Sequence, residues 1–240
     1  MKIFICDDTP ESFFTAVFDA YGIAGAVITS DGNFQLSMGD EPVRVHYDIE
    51  KCDRVRRVLK KYGAENDVLS TLKSCDTRKE QVCFAYVKRL TELKKSIKNA
   101  FNLPEVVDFN DILYKITGET HRLKGLLRFK ETAGGVLYAP YSPDNDITDL
   151  LTPHFAARLR SEKFIIHDIN RGIAGLYDGR GWIITHVGEA EICLSDSELA
   201  FEGLWKKYYK SVNIESRPHE RQMKRSMPVR YWKFLPEKND

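Results

Sequence analysis

A change of period near the midpoint constrains this chain most. From Ile49 to about Gly125, apolar residues recur every three or four positions, the spacing that gives a helix one apolar face. From Leu126 to His186 they alternate instead, in short runs of strand-forming residues separated by glycine-bearing links. A chain of 240 residues that lays down helices first and strands afterwards is expected to be an α+β protein. The expected order is an N-terminal strand and helix, a helical middle layer, and a C-terminal antiparallel sheet with flanking helices.

Local chemistry sets the boundaries. Lys2–Cys6 has strand character, and Asp8-Thr9-Pro10-Glu11 supplies a cap, a proline at the first helical position and an early acid. Phe13, Phe14, Val17, Phe18 and Tyr21 then form one apolar stripe that Gly22 ends. Residues 23–47 hold short β-prone pieces, with a hairpin signal at Asp31-Gly32 and alternation over Val43–Tyr47. Helices are predicted near 50–62, 65–74, 77–100 and 107–124, broken at Gly63, Asp76-Thr77 and Leu103-Pro104. Strands are predicted at Leu126–Lys130, Val136–Tyr141, Lys163–Asp168, Ile173–Tyr177 and Trp182–His186, with a helix near 147–160 inside the series. The links at Arg171-Gly172 and Asp178-Gly179-Arg180-Gly181 are short enough for hairpins, which favours antiparallel pairing. A last helix near 195–212 leads into a basic tail ending Arg230-Tyr231-Trp232-Lys233-Phe234. Nothing in the composition marks a linker, so a single domain over 1–240 is expected, with a mainly helical layer to 125 and sheet plus helices from 126. Whether these layers share one core is left open.

Charge and cysteine content exclude several classes. The net charge of +1 hides three basic blocks, Lys51–Lys61, Lys88–Lys98 and Lys206–Lys233, of which the first two read most simply as solvated helix faces. Five cysteines, an odd number spread far apart without a Cys-x-x-Cys pair, argue against a disulfide framework or a four-thiolate zinc site. Asp7 and Asp8 interrupt the apolar opening, and no stretch reaches the roughly 20 apolar residues of a membrane span. A cytoplasmic protein without a membrane partner is expected. The Gly-x-Ser-x-Gly elbow, the phosphate-binding Gly-x-x-x-x-Gly-Lys loop and the Gly-x-Gly-x-x-Gly fingerprint are absent, as are zinc deaminase elements.

The densest polar constellation runs from His121 to Arg171. His121-Arg122-Leu123-Lys124-Gly125 closes a helix and Arg128 follows it. Cations there complement the helix dipole, or Arg122, Lys124 and Arg128 converge on phosphates. Asp144-Asn145-Asp146 sits where a helix cap belongs. Together with His121, His154, His167 and Asp168, Asp144 is also a candidate for acid, base or metal-ligand work, and Arg171 for anion binding. Adjacent strand residues point to opposite faces, which separates His167 from Asp168 unless a bulge intervenes. No recognised metal spacing is present, and no metal site is assigned. The tail interleaves Trp205, Lys206, Lys207, Tyr208, Tyr209, Lys210, Arg217, Arg221, Lys224, Arg225, Arg230, Tyr231, Trp232 and Lys233. Such a mixture either packs the tail on the core or stacks bases while cations hold phosphates.

Taken in order, several segments resemble a bacterial family of DNA metabolism and DNA repair proteins: Asp8–Tyr21, Asp53-Arg54-Val55, His121–Gly125 with Arg128-Phe129, Tyr138-Ala139-Pro140, Pro143-Asp144, Pro153-His154-Phe155, Ile166-His167-Asp168 and Pro228–Lys233. Members of that family occur beside a radical S-adenosylmethionine protein or fused to a uracil-DNA glycosylase-like domain. The resemblance implies a DNA-repair context and a radical S-adenosylmethionine protein as partner, without settled catalytic residues. Three hypotheses follow. In the first, a DNA-binding accessory or repair protein uses Arg122, Lys124, Arg128, Arg171, Arg225, Arg230, Tyr231, Trp232 and Lys233. In the second, an enzyme acts on damaged or modified DNA as lyase, glycosylase or nuclease through His121, His154, His167, Asp144 and Asp168. The third is a protein-interaction scaffold, which predicts a broad apolar surface patch.

Overall fold

The computed structural model of the chain describes residues 1–32, 34–188, 192–212 and 220–239. They fall into two compact units, Met1–Thr117 and Gly118–Asp240.

The first unit carries a small parallel sheet in the order β2-β1-β3, with β1 (Lys2–Ile5) paired to β2 (Val27–Thr29) and β3 (Glu41–Arg44). Helix α1 (Pro10–Ala20) is the crossover from β1 to β2. Thr9 caps it by accepting from the Ser12 N–H, and Pro10 occupies the first turn, where its missing N–H costs nothing. Phe13, Phe14 and Val17 of the predicted stripe are buried, whereas Phe18 and Tyr21 remain exposed. The hairpin expected at Asp31-Gly32 does not form. Strands β2 and β3 lie on opposite sides of β1 and run parallel to it, so they never pair with each other.

Helices α2 (Ile49–Lys61), α3 (Glu65–Thr71) and α4 (Lys79–Leu93) follow, then α5 (Pro104–Leu126), which spans the unit boundary in sequence. Asp48 caps α2 through the Glu50 and Lys51 N–H groups. Helix α4 ends earlier than its period suggests because Lys94 turns left-handed at φ 50°. Tyr86 of α4 stacks on Phe109 of α5 at 3.9 Å. The first basic block lies on α2 and the second on α4 and the turn that follows it, and several of their cations are ion-paired, among them Lys51–Asp19, Arg56–Glu65, Arg89–Glu105 and Lys98–Asp67.

The second unit is built on a five-stranded sheet ordered β4 (Lys130–Glu131), β5 (Leu137–Tyr141), β6 (Phe164–Asp168), β7 (Ile173–Tyr177), β8 (Trp182–His186). The two predicted hairpins are present, and Gly172 and Gly179 take the positive φ their turns require. Two expectations need correction. The predicted strand Leu126–Lys130 is mostly the end of α5 and a loop, since Leu126 and Leu127 turn into the core and only Lys130–Glu131 pair. Strands β5 and β6 are parallel, because the long connection between them contains a helix, α6 (Thr148–Arg158), and can cross over. The sheet is therefore mostly rather than wholly antiparallel.

Helix α6 covers one sheet face closely. A Cβ placed on Gly175 of β7 would meet Thr152 Oγ1 of α6 at 2.0 Å. Phe155, Phe164, Ile166, Ala139 and Tyr141 fill this interface, and Phe129 meets Phe155 and Phe164 edge-on. The chain then forms α7 (Asp196–Val212), α8 (Glu220–Ser226) and two 3₁₀ turns, Val229–Phe234 and Pro236–Lys238. Among the described residues no helix is long and apolar enough to cross a membrane.

Candidate functional site

The polar centre of the second unit grows from an interruption in an apolar stripe. Along α5, Phe109, Ile112, Ile116 and Leu123 are buried at helical spacing, and Glu119 occupies the position where another aliphatic residue belongs. Its carboxylate is 1 % exposed. It accepts from the backbone N–H groups of Asp144 and Asn145 at 2.9 and 3.0 Å and from Asn145 Nδ2 at 2.6 Å. The Tyr231 hydroxyl donates to the same carboxylate, and the Arg230 guanidinium lies at 3.4 Å. Burial pushes the Glu119 carboxyl up, but the hydrogen bonds from Tyr231, Asp144 and Asn145 outweigh it and hold it below the usual glutamate range.

The same loop is gripped from β6. Asp168 is fully buried and pairs with Arg171 at 2.8 Å, while its other oxygen accepts from the Asn170 and Arg171 N–H groups. Arg171 reaches on to the carbonyls of Pro143 (3.1 Å) and Asp144. Asp144 turns its side chain outward to Arg230 at 2.8 Å. Glu119, Asp144, Asn145, Asp168, Arg171, Arg230 and Tyr231 thus form one connected network around residues 142–146. Five of these, Asp144, Asp168, Arg171, Arg230 and Tyr231, are candidates from the sequence. Glu119 is not, although its place on the α5 stripe is the signal that singles it out.

The remaining candidates lie apart from this network. His167 stands on the opposite face of β6 from Asp168, as strand geometry predicts, and its Nδ1 is 2.8 Å from the Tyr138 hydroxyl. Burial lowers the imidazole pKa, with Asp168 opposing, and burial raises that of Tyr138. A protonated phenol against a neutral imidazole donates to Nδ1, which leaves the imidazole proton on Nε2. His154 sits near Lys124: burial first, then Lys124 and Arg158, lower its pKa. His121 is exposed on α5. Among the described residues no hydrogen bond or ion pair joins these three histidines to Asp144 or Asp168, and no set of three His, Cys, Asp or Glu side chains comes together as metal ligands.

The cations divide into tied and available groups. Arg128 forks onto Glu237 at 2.6 Å and lies over the Trp205 ring, whose Nε1 donates to the same carboxylate. Burial pushes Glu237 up, but Arg128 and Trp205 hold it low. Trp232 donates to the Met227 carbonyl and lies under Lys238, and Lys233 sits over Phe234. Tyr231 is 1 % exposed, so its ring is turned away from solvent. Arg122 is half-buried with Nε lacking a hydrogen-bond partner among the described residues. Lys207, Lys210 and Arg225 are exposed. Arg217 lies outside the described residues.

Helix α7 shows a second feature that its sequence spacing disguises. Its inner side is fixed by Glu198 to the Glu131 N–H, Glu202 to Lys130, Trp205 to Glu237 and Tyr209 against Lys238. Phe201, Leu204, Tyr208 and Val212 recur at three- and four-residue steps, yet all are more than half exposed. Trp205 and Tyr208 are tilted neighbours at 5.6 Å. An outward aromatic and aliphatic stripe flanked by lysines departs from the usual polar outer face of a surface helix.

No curated protein gives a significant match to the chain. A family model described as a domain of unknown function, DUF4130, matches residues 77–237, from just before α4 to within the second 3₁₀ turn. This match spans about two thirds of the 240 residues, and the chain belongs to the DUF4130 family.

Proposed function

We propose that this protein binds unpaired DNA through the outer face of α7 and serves as an accessory or repair protein in bacterial DNA metabolism. The observation that carries the reading is the exposed stripe Phe201, Leu204 and Tyr208 beside Trp205, with Lys207 and Lys210 on the same helix. Every base has a π-face that stacks on such rings, and ammonium groups neutralise the phosphates between them. Arg225 and Lys233 add exposed charge to the C-terminal segment, whereas Arg128, Arg171 and Arg230 act mainly to hold the unit together. The resemblance of the sequence supports a radical S-adenosylmethionine enzyme as working partner.

Titration of single-stranded and duplex DNA across a salt series tests the proposal. Single strands should bind more tightly, with affinity falling linearly on logarithmic axes as salt rises. Tyr208→Ala should weaken single-strand binding about tenfold at fixed salt, as expected for one lost stacking partner. Lys207→Gln with Lys210→Gln should flatten the salt slope by roughly 1.4 for two phosphate contacts on a single strand. Binding that ignores salt, or no binding at low salt, would overturn the reading and leave the stripe as a protein-docking face.

The Tyr138–His167 pair favours a second reading, an enzyme acting on modified DNA, in which neutral His167 presents its Nε2–H as a hydrogen-bond donor to charge developing on the substrate while Nδ1 stays occupied by the Tyr138 hydroxyl. Product strands on a denaturing gel test it: conversion lost in His167→Ala but retained in His121→Ala and His154→Ala supports this site. Strands unchanged by the native protein would remove it.

A further inference from the structure

A cavity of about 500 Å³ opens on the first unit between α1, α2 and α4, within the size range of small-molecule sites. Its floor is aliphatic, with Val17, Val55 and Val87 all buried. Phe18 forms an exposed wall, and the Arg54 guanidinium lies 5.3 Å from the centre of that ring. Arg57 is the second cation of the lining, its Nε held by the Asp53 carbonyl of its own helix. Neither arginine forms an ion pair among the described residues, whereas Arg56 between them is committed to Glu65. The lining contains no acidic side chain.

Two guanidinium groups that carry no ion pair among the described residues line an apolar, ring-walled cleft and define a ligand by complementarity. A ring-sized apolar body fills the floor and stacks on Phe18, and an anionic group at one end meets the forked donors. We propose that this cleft binds a small anionic aromatic molecule, a carboxylate, sulfonate or phosphate on a flat ring system. Most of the site precedes the family match at residue 77, with Val87 and Thr91 its contributors from α4, and all of it belongs to the first unit, whereas α7 belongs to the second.

Fluorescence titration with anilinonaphthalene sulfonate and with its uncharged parent, anilinonaphthalene, tests the site in the full-length chain. The charged probe should bind at one saturable site about tenfold more tightly, the effect of a charge-assisted contact. The surface double variant Arg54→Gln/Arg57→Gln should bring the two probes to equal affinity. Gly22→Trp should abolish binding of both at this site, because Gly22 lines the cavity and a Cβ there meets nothing within 4 Å. Equal affinity in the native protein, unchanged selectivity in the double variant, or undiminished binding in Gly22→Trp would each overturn the proposal.

Discussion

A carboxylate buried in an apolar interior ordinarily takes up a proton, because desolvation penalises its charge. Glu119 keeps its charge because five donors converge on it, from Asp144, Asn145 twice, Arg230 and Tyr231. The cost of disturbing this arrangement depends on position. Glu119→Gln places an amide against donors that need an acceptor and should cost about 3 kcal/mol, the scale of breaking a buried charged network. Asp144→Asn removes a carboxylate that is 47 % exposed and shares Arg230, and should cost no more than about 1 kcal/mol. Urea unfolding followed by tryptophan fluorescence compares them. Equal losses would mean that the outer ion pair, rather than the buried hub, holds the loop over residues 142–146.

At the scale of elements, the tightest constraint is the approach of α6 to β7. With Thr152 Oγ1 only 2.0 Å from a Cβ on Gly175, and Thr152 Cβ and Cγ2 at 3.0 and 3.1 Å, no rotation of the threonine clears the space. Gly175→Ala should therefore destabilise the second unit by about 2 kcal/mol through overpacking, and adding Thr152→Ser should recover part of that loss in thermal unfolding. Additive losses would show that the strain lies elsewhere. The hairpins of β6, β7 and β8 are legible in the sequence because Gly172 and Gly179 mark short turns. The parallel pairing of β5 with β6 is not, since a buried apolar strand carries no statement of its partner's direction. The site is legible to the same degree. Asp144, Asp168, Arg171 and Arg230 announce themselves by charge, but Glu119 hides in a helical stripe. Phe201, Leu204 and Tyr208 hide for the opposite reason: their spacing is that of a buried face, and only the packing of Glu198, Glu202, Trp205 and Tyr209 shows which side of α7 is covered.

For the whole molecule, buried carboxylates give the two units opposite responses to acid. In the second unit Glu119 and Glu237 are held below the ordinary glutamate pKa, so each contributes stability that is present above about 4.3 and lost as pH falls through its folded value. In the first unit Glu80 is 3 % exposed and accepts from Ser30 at 2.5 Å, and burial outweighs that bond and raises its pKa. Its contribution has the reverse sign: fully present below about 4.3 and lost as pH rises through the folded value. Trp182, Trp205 and Trp232 all belong to the second unit, so tryptophan fluorescence reports on that unit while far-ultraviolet circular dichroism reports on both. Between neutral pH and about pH 3, the fluorescence midpoint should fall further than the dichroism midpoint. Glu80→Gln keeps an acceptor for Ser30 without the buried charge, and should raise first-unit stability at neutral pH while leaving the fluorescence transition unchanged. If both probes instead fall together in acid, and Glu80→Gln lowers stability at neutral pH, the Glu80 carboxylate is a favourable partner of Lys79, 3.8 Å away, and its charge is not a cost to the fold.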